Sequence, residues 1–249
     1  MSNFLLAVQF LTILPLKIRN FNDKKMAWAL IYFPVVGLFI GSMLLGLNTL
    51  LSILGISPAV ANIILVIVLI ILTGGMHLDG LADTADAFLS GKAKKEMLEI
   101  MRDSHVGVMG VLALISIILL KIGLLSSVYV AVKPVALILM CILSRWSVVL
   151  IMYLFPYARQ EGKARLFIQG MNSKIFILST IVVVICSFLI WYIPGLIALS
   201  LAALCAYAIG KFVSRKIGGV TGDTLGATIE LTEIATLLTV CIAQKLIYG

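Results

Sequence analysis

The chain reads as an all-α, polytopic bundle of about seven transmembrane helices plus interfacial helices, and three observations carry that reading. The sequence is 62% hydrophobic, only 12% charged, and has a mean hydropathy of +1.17, a balance that no water-exposed surface of this size supports. Its apolar residues gather in runs close to the roughly 20 residues that a helix needs to cross the hydrocarbon core. Its basic residues fall in alternate connections between those runs, as they do when one side faces the cytoplasm.

In chain order, the stretch Phe4 to Leu16 is apolar but short, has no basic residue before it and no small-residue cleavage site, so it predicts an interfacial or re-entrant helix and not a secretory signal. Seven spans follow at residues 30–54, 58–73, 106–125, 130–155, 175–193, 195–212 and 234–248, the second and last being short. Alternate connections hold 15 of the 19 basic residues: Lys17, Arg19, Lys24 and Lys25; Lys92, Lys94, Lys95 and Arg102; Arg159, Lys163, Arg165 and Lys174; Lys211, Arg215 and Lys216. This places the N-terminus in the cytoplasm and the C-terminus outside, with Lys133, Lys245 and Lys121 assigned to the outer side. Residues 92–103 alternate charge with Met97, Leu98, Ile100 and Met101, which predicts an amphipathic helix at the headgroups or on the solvated surface. No linker, low-complexity tract or repeat divides the chain, so a single domain over 1–249 is expected.

The net charge of +8 follows from this topological bias together with attraction to anionic lipid, and implies a lipid bilayer as partner and no nucleic acid. Cys141, Cys186, Cys205 and Cys241 stand singly within apolar spans and read as small buried hydrophobes.

Seven of the eleven acidic residues are confined to three stretches at the edges of spans: Asp79, Asp83 and Asp86; Asp103; and Asp223, Glu230 and Glu233. On a helix the first three fall within an arc of about 60° and the last three within about 80°. Like charges so close repel unless a cation lies among them, and oxygen-only ligands suit Mg²⁺ held jointly with substrate phosphates. All six therefore stand as candidate metal ligands. Glycines frame each stretch, and Gly75, Gly80, Thr221 and Gly222 are candidate substrate contacts. Both histidines, His77 and His105, sit at these edges; His77, two residues from Asp79, is the candidate for proton transfer. Arg145 lies inside a span, where a guanidinium needs a partner such as phosphate or an acidic cluster. The Arg159 to Arg165 strip is assigned to topology.

The run Gly74 to Asp86 (GGMHLDGLADTAD), Ile100 to Ser104 (IMRDS) and Gly218 to Ala227 (GGVTGDTLGA), with the early Phe10 to Pro15 and Phe33 to Gly37, resemble the cobalamin synthase family, the adenosylcobinamide-GDP ribazoletransferases. The resemblance covers nearly the whole chain. It implies transfer of cobinamide phosphate from its GDP-activated form to α-ribazole or α-ribazole 5′-phosphate, with GMP released and Mg²⁺ as cofactor, at the cell inner membrane. Asp79, Asp83 and Asp86 would hold metal, one of them serving as base, and a homo-oligomer is left open. The first motif is also loosely similar to that of CDP-alcohol phosphotransferases, but Asp83 and Thr84 stand where that family has Ala and Arg. The phosphate-binding arginine must then come from elsewhere, with Arg102 and Arg145 the candidates, while Asp103 beside Arg102 stands as a further substrate-site residue. A cation transporter is the alternative from another class, although the acidic residues gather at one membrane face and not at the midplane.

Overall fold

The computed structural model describes residues 2–15 and 23–248; the expected loop charges Lys17 and Arg19 and the terminal Gly249 lie outside them. The helices in chain order are α1 (Ser2–Leu11), α2 (Asp23–Ala29), α3 (Phe33–Ile53), α4 (Pro58–Thr73), α5 (Met76–Leu89), α6 (Lys94–Ile100), α7 (Val108–Ser127), α8 (Lys133–Leu154), α9 (Lys163–Gln169), α10 (Ser173–Ile217) and α11 (Gly222–Tyr248). Among the described residues the sole β geometry is an isolated bridge between Tyr157 and Val220.

The bundle is built around α8. Every residue from Leu139 to Met152 is buried, as expected of a helix apolar on all sides that sits inside a helical assembly. It contacts α3, α10 and α11. Gly37 and Gly41 of α3, four residues apart, bring that helix against the α8 backbone at Cys141 and Ile138, the close approach that small residues allow between membrane helices. On the outer faces Ile53, Leu119, Leu189 and Leu204 remain exposed, a surface suited to acyl chains and not to water.

Among the described residues five helical segments are long and apolar enough to cross a membrane, and α4 with α5, bent by 89°, makes a sixth when taken as one broken span. The longest, α10, is not straight. Trp191 and Tyr192 leave helical geometry, and Gly195 comes against the backbone of Ser187. Residues eight apart in a continuous helix are separated by about 12 Å along the axis, so the chain reverses here. The two arms of α10 take the places of the expected spans at 175–193 and 195–212.

One expectation needs correction. The last span does not begin at residue 234: α11 is continuous from Gly222, so the third acidic stretch lies within that helix and points largely into the bundle. The N-terminal helix buries Leu6, Ala7, Val8 and Leu11 against the bundle, and the Ile13 N–H donates to the Leu72 carbonyl at 2.9 Å. Helix α6 presents Met97 to the protein core, with Met101 buried just beyond its end.

Candidate active site

The bend between α4 and α5 is made by Gly74 and Gly75, at φ of 63° and 69°, a left-handed pair that side chains with a Cβ rarely adopt. It turns α5 so that it runs antiparallel beside the first half of α11. A Cβ on Gly80 would lie 2.6 Å from the Asp223 carbonyl oxygen, and one on Gly226 would lie 3.2 Å from the His77 Cα. The two helices therefore touch backbone to backbone, and Asp79 and Asp83, one turn apart around Gly80, face the N-terminus of α11. Asp83 lies within the electrostatic reach of Asp79, Asp86 and Asp223.

That N-terminus is closed by a reciprocal cap. The Thr224 hydroxyl accepts from the Thr221 N–H at 2.8 Å while the Thr221 hydroxyl accepts from the Thr224 N–H at 3.2 Å, satisfying donors that a helix start leaves free. Thr221 is thus buried in a structural role, and Gly222 beside it borders open space.

Two loops distant in sequence are joined at this end. Ala158 N–H donates to the Val220 carbonyl and Val220 N–H to the Pro156 carbonyl, both at 2.8 Å. This bridge carries Arg159 to the α11 N-terminus, where its Nη2 lies 2.7 Å from Asp223 Oδ2. The guanidinium is largely enclosed and its Nε has no acceptor among the described residues. Tyr157, next along the bridge, has its phenol pushed above the ordinary range by burial. Together these residues open onto a cavity of about 360 Å³ lined by, among others, Phe10, Met76, His77, Tyr157, Arg159 and Asp223. Arg159 also borders a second depression of about 520 Å³, lined by Lys95, Glu99, Arg102, Gln160 and Glu161.

The remaining acidic candidates are engaged in other ways. Asp86 accepts from the Gly107 N–H at 2.7 Å and the Gly110 N–H at 2.8 Å, so its carboxylate sits on the N-terminus of α7, where backbone donors and the helix dipole favour negative charge. Asp103 is exposed and hydrogen-bonds His105 Nδ1 at 2.6 Å; that bond holds its carboxyl below, and the imidazole above, their usual ranges.

Glu230 and Glu233 do not join the aspartates. Glu230 accepts from Lys121 Nζ at 2.6 Å, and Glu233 is paired with both Lys121 and Arg145, all four side chains being essentially enclosed. Lys121 is therefore not an outer-face charge. Arg145 meets the acidic partner anticipated for it. Both positive charges are already matched by two negative ones in a low-dielectric interior, so this cluster is a structural tie between α7, α8 and α11. His77 lies near it, buried, with Nδ1 lacking a partner among the described residues.

Among the described residues no three His, Cys, Asp or Glu side chains are placed to hold a metal ion by themselves. Asp79 and Asp83 nevertheless have no hydrogen-bonding or ionic partner for their carboxylates among those residues, and Asp223 faces them. An all-oxygen pair of this kind, completed by phosphate oxygens, fits the way Mg²⁺ is ordinarily held.

A family model described as cobalamin-5-phosphate synthase matches residues 3–241. The chain belongs to this family. It is similar to proteins named adenosylcobinamide-GDP ribazoletransferase from Desulforamulus reducens (35% identity, covering 98% of each chain), Clostridioides difficile (34%, 96% of each) and Escherichia coli O45:K1 (35%, 93% of this chain and 96% of the relative). No solved structure matches it. Neither a transporter nor a CDP-alcohol phosphotransferase stands among these relatives.

In this family member, the residue that sequence reasoning passed over is Arg159. A basic residue in a cytoplasmic loop is what topology alone predicts, and its distinguishing feature, the bridge to Val220, pairs segments some 60 residues apart. The equality of two cations and two anions within apolar spans was the signal available for the Lys121, Arg145, Glu230 and Glu233 cluster.

Proposed function

We propose that this chain joins GDP-activated adenosylcobinamide to α-ribazole or α-ribazole 5′-phosphate, giving adenosylcobalamin or its 5′-phosphate and GMP in the late nucleotide-loop assembly of cobalamin. Family membership supports the reaction, and one structural observation carries the site: two unpartnered aspartates, Asp79 and Asp83, facing the Arg159–Asp223 pair across the start of α11.

The transfer forms a bond from an acceptor hydroxyl oxygen to the cobinamide-side phosphorus and breaks the bond from that phosphorus to the bridging oxygen, which leaves with GMP. Such transfers are catalysed chiefly by positioning and by offsetting charge. Arg159 holds a non-bridging phosphate oxygen through donors that Asp223 does not use. Asp223 orients that guanidinium, as Thr221 and Thr224 fix the helix end that carries it. The hydroxyl proton passes to Asp79 or Asp83. Mg²⁺ bound by Asp79 and Asp83, with Asp223 within reach, would offset charge on the pyrophosphate and orient its oxygens. The site is assigned to the cytoplasmic face of the cell inner membrane, because Lys92, Lys94, Lys95, Arg102 and Lys216 belong to the same connections.

The test is product formation by membranes containing the chain, supplied with GDP-activated cobinamide and α-ribazole 5′-phosphate. GMP and a cobalamin product should appear in equal amounts with Mg²⁺ and cease in excess EDTA. Absence of GMP would sink the reaction assignment, and full activity in EDTA the metal.

A further inference from the structure

Resting on that reading, we infer that the largely apolar cavity lined by Phe10, Met76 and Arg159 is the acceptor subsite, taking the heteroaromatic nucleoside that is the α-ribazole, while the leaving nucleotide occupies the polar depression lined by Arg102, Arg159 and Glu161. The two hollows have Arg159 in their linings in common. Displacement at phosphorus needs separate places for the entering and leaving groups, and two spaces that share a phosphate-holding arginine supply them.

The linings say which is which. The cavity has about 360 Å³ and is walled by Phe10, Met76, Val148, Leu225 and Ile229, with polar groups at few points: Gln9, His77, Tyr157, Arg159 and Asp223. That is the make-up of a small-molecule site, apolar with a few convergent polar atoms. A corrin ring system is too large for it, whereas a benzimidazole nucleoside matches its size and its apolar walls. His77 is the second, independent sign of a ligand: it is 94% enclosed, since its relative exposure is 6%, and its Nδ1 has no partner among the described residues. A buried polar nitrogen left unpaired is costly, and a ring nitrogen or ribose hydroxyl of the acceptor would pair it. The polar depression instead offers Glu99, Gln160 and Glu161, carboxylate and amide groups suited to the N–H donors along a guanine edge.

Two variants probe the cavity without touching Arg159 or the aspartates. A Cβ on Gly222 meets nothing within 4 Å, so Gly222→Leu extends into open space at the cavity wall. Met76 is 44% exposed, and Met76→Trp narrows the same space from α5. Full-length protein in lipid nanodiscs is assayed for GMP release with each substrate varied in turn, and equilibrium dialysis measures α-ribazole 5′-phosphate binding without donor. Both variants should raise the KM for α-ribazole 5′-phosphate about tenfold or more, in line with loss of pocket contacts, and weaken its binding in dialysis, with the KM for the GDP-activated corrinoid little changed. A raised KM for the donor alone, an unchanged acceptor KM in both variants, or displacement of bound α-ribazole 5′-phosphate by GMP would overturn the assignment. The dialysis result stands apart from turnover: wild-type protein that binds the acceptor but releases no GMP refutes the reaction and not the subsite.

Discussion

Arg159 Nη2 sits 2.7 Å from Asp223 Oδ2, joining a loop after α8 to the first turn of α11 at the point where α5 brings up Asp79 and Asp83. Neither residue reaches the other through local sequence. The Pro156, Ala158 and Val220 bridge and the Gly80 contact hold the arrangement together.

Removing the guanidinium should therefore remove phosphate binding at the centre of the reaction. Arg159→Ala is expected to lower kcat/KM by about 100-fold or more, and Arg159→Lys should recover little, because a point charge on a flexible stem does not reproduce the planar fork. Steady-state GMP release checks both; near-normal activity of the Ala variant would move the phosphate site to Arg102.

Asp79→Asn and Asp223→Asn keep shape and remove charge, so each should abolish most turnover while leaving the protein inserted and folded. Groups serving one transition state are non-additive, and the double variant should be scarcely worse than either single one. Simple multiplication of the two losses in a magnesium titration would show that the two helices act separately.

Gly80→Ala places a methyl group 2.6 Å from the Asp223 carbonyl oxygen, too close for either backbone to accept unmoved. It should force α5 away from α11 and cut activity sharply, whereas Gly46→Ala, where a Cβ meets nothing within 4 Å, should be silent. Equal activities would mean that the two helices need not touch.

The buried ions make a stability prediction. Glu233→Gln leaves Lys121 and Arg145 with one carboxylate between them, and breaking a buried pair costs about 3–5 kcal/mol. Replacing both partners, as in Arg145→Met with Glu233→Leu, should be milder than either single change. Thermal unfolding in detergent reads the difference; a double variant worse than both singles would contradict it.

How far the sequence carried can be judged at particular residues. Hydropathy located the long apolar helices, even the division near Pro194 where α10 reverses, because burial in lipid is written into composition. Helical periodicity correctly put Asp79 and Asp83 on one face, and the glycines anticipated the close approach of α5 to α11. Periodicity says which side chains share a face but not what the face meets. Hence Glu230 and Glu233, aligned with Asp223 along α11, were grouped with it, although two to three turns further along the helix they meet Lys121 and Arg145 from segments 109 and 88 residues earlier. The bridge that positions Arg159 is likewise long-range, and nothing in its loop distinguishes it from a topological charge.

The four-ion tie also bears on how the chain is made. Lys121 and Arg145 belong to α7 and α8, which leave the ribosome well before α11 supplies their counterions, and a lone basic residue at the centre of a membrane helix costs about 3 kcal/mol to insert. Until α11 arrives the nascent chain holds two uncompensated positive charges in its spans, so α7 and α8 should linger at the insertion machinery. Chains truncated before Gly222 should be cleared faster in pulse-chase labelling than truncated chains in which Lys121 and Arg145 are replaced by Met, and equal lifetimes would argue otherwise. The arrival of α11 thus at one stroke neutralises the buried cations and brings Asp223 beside Arg159.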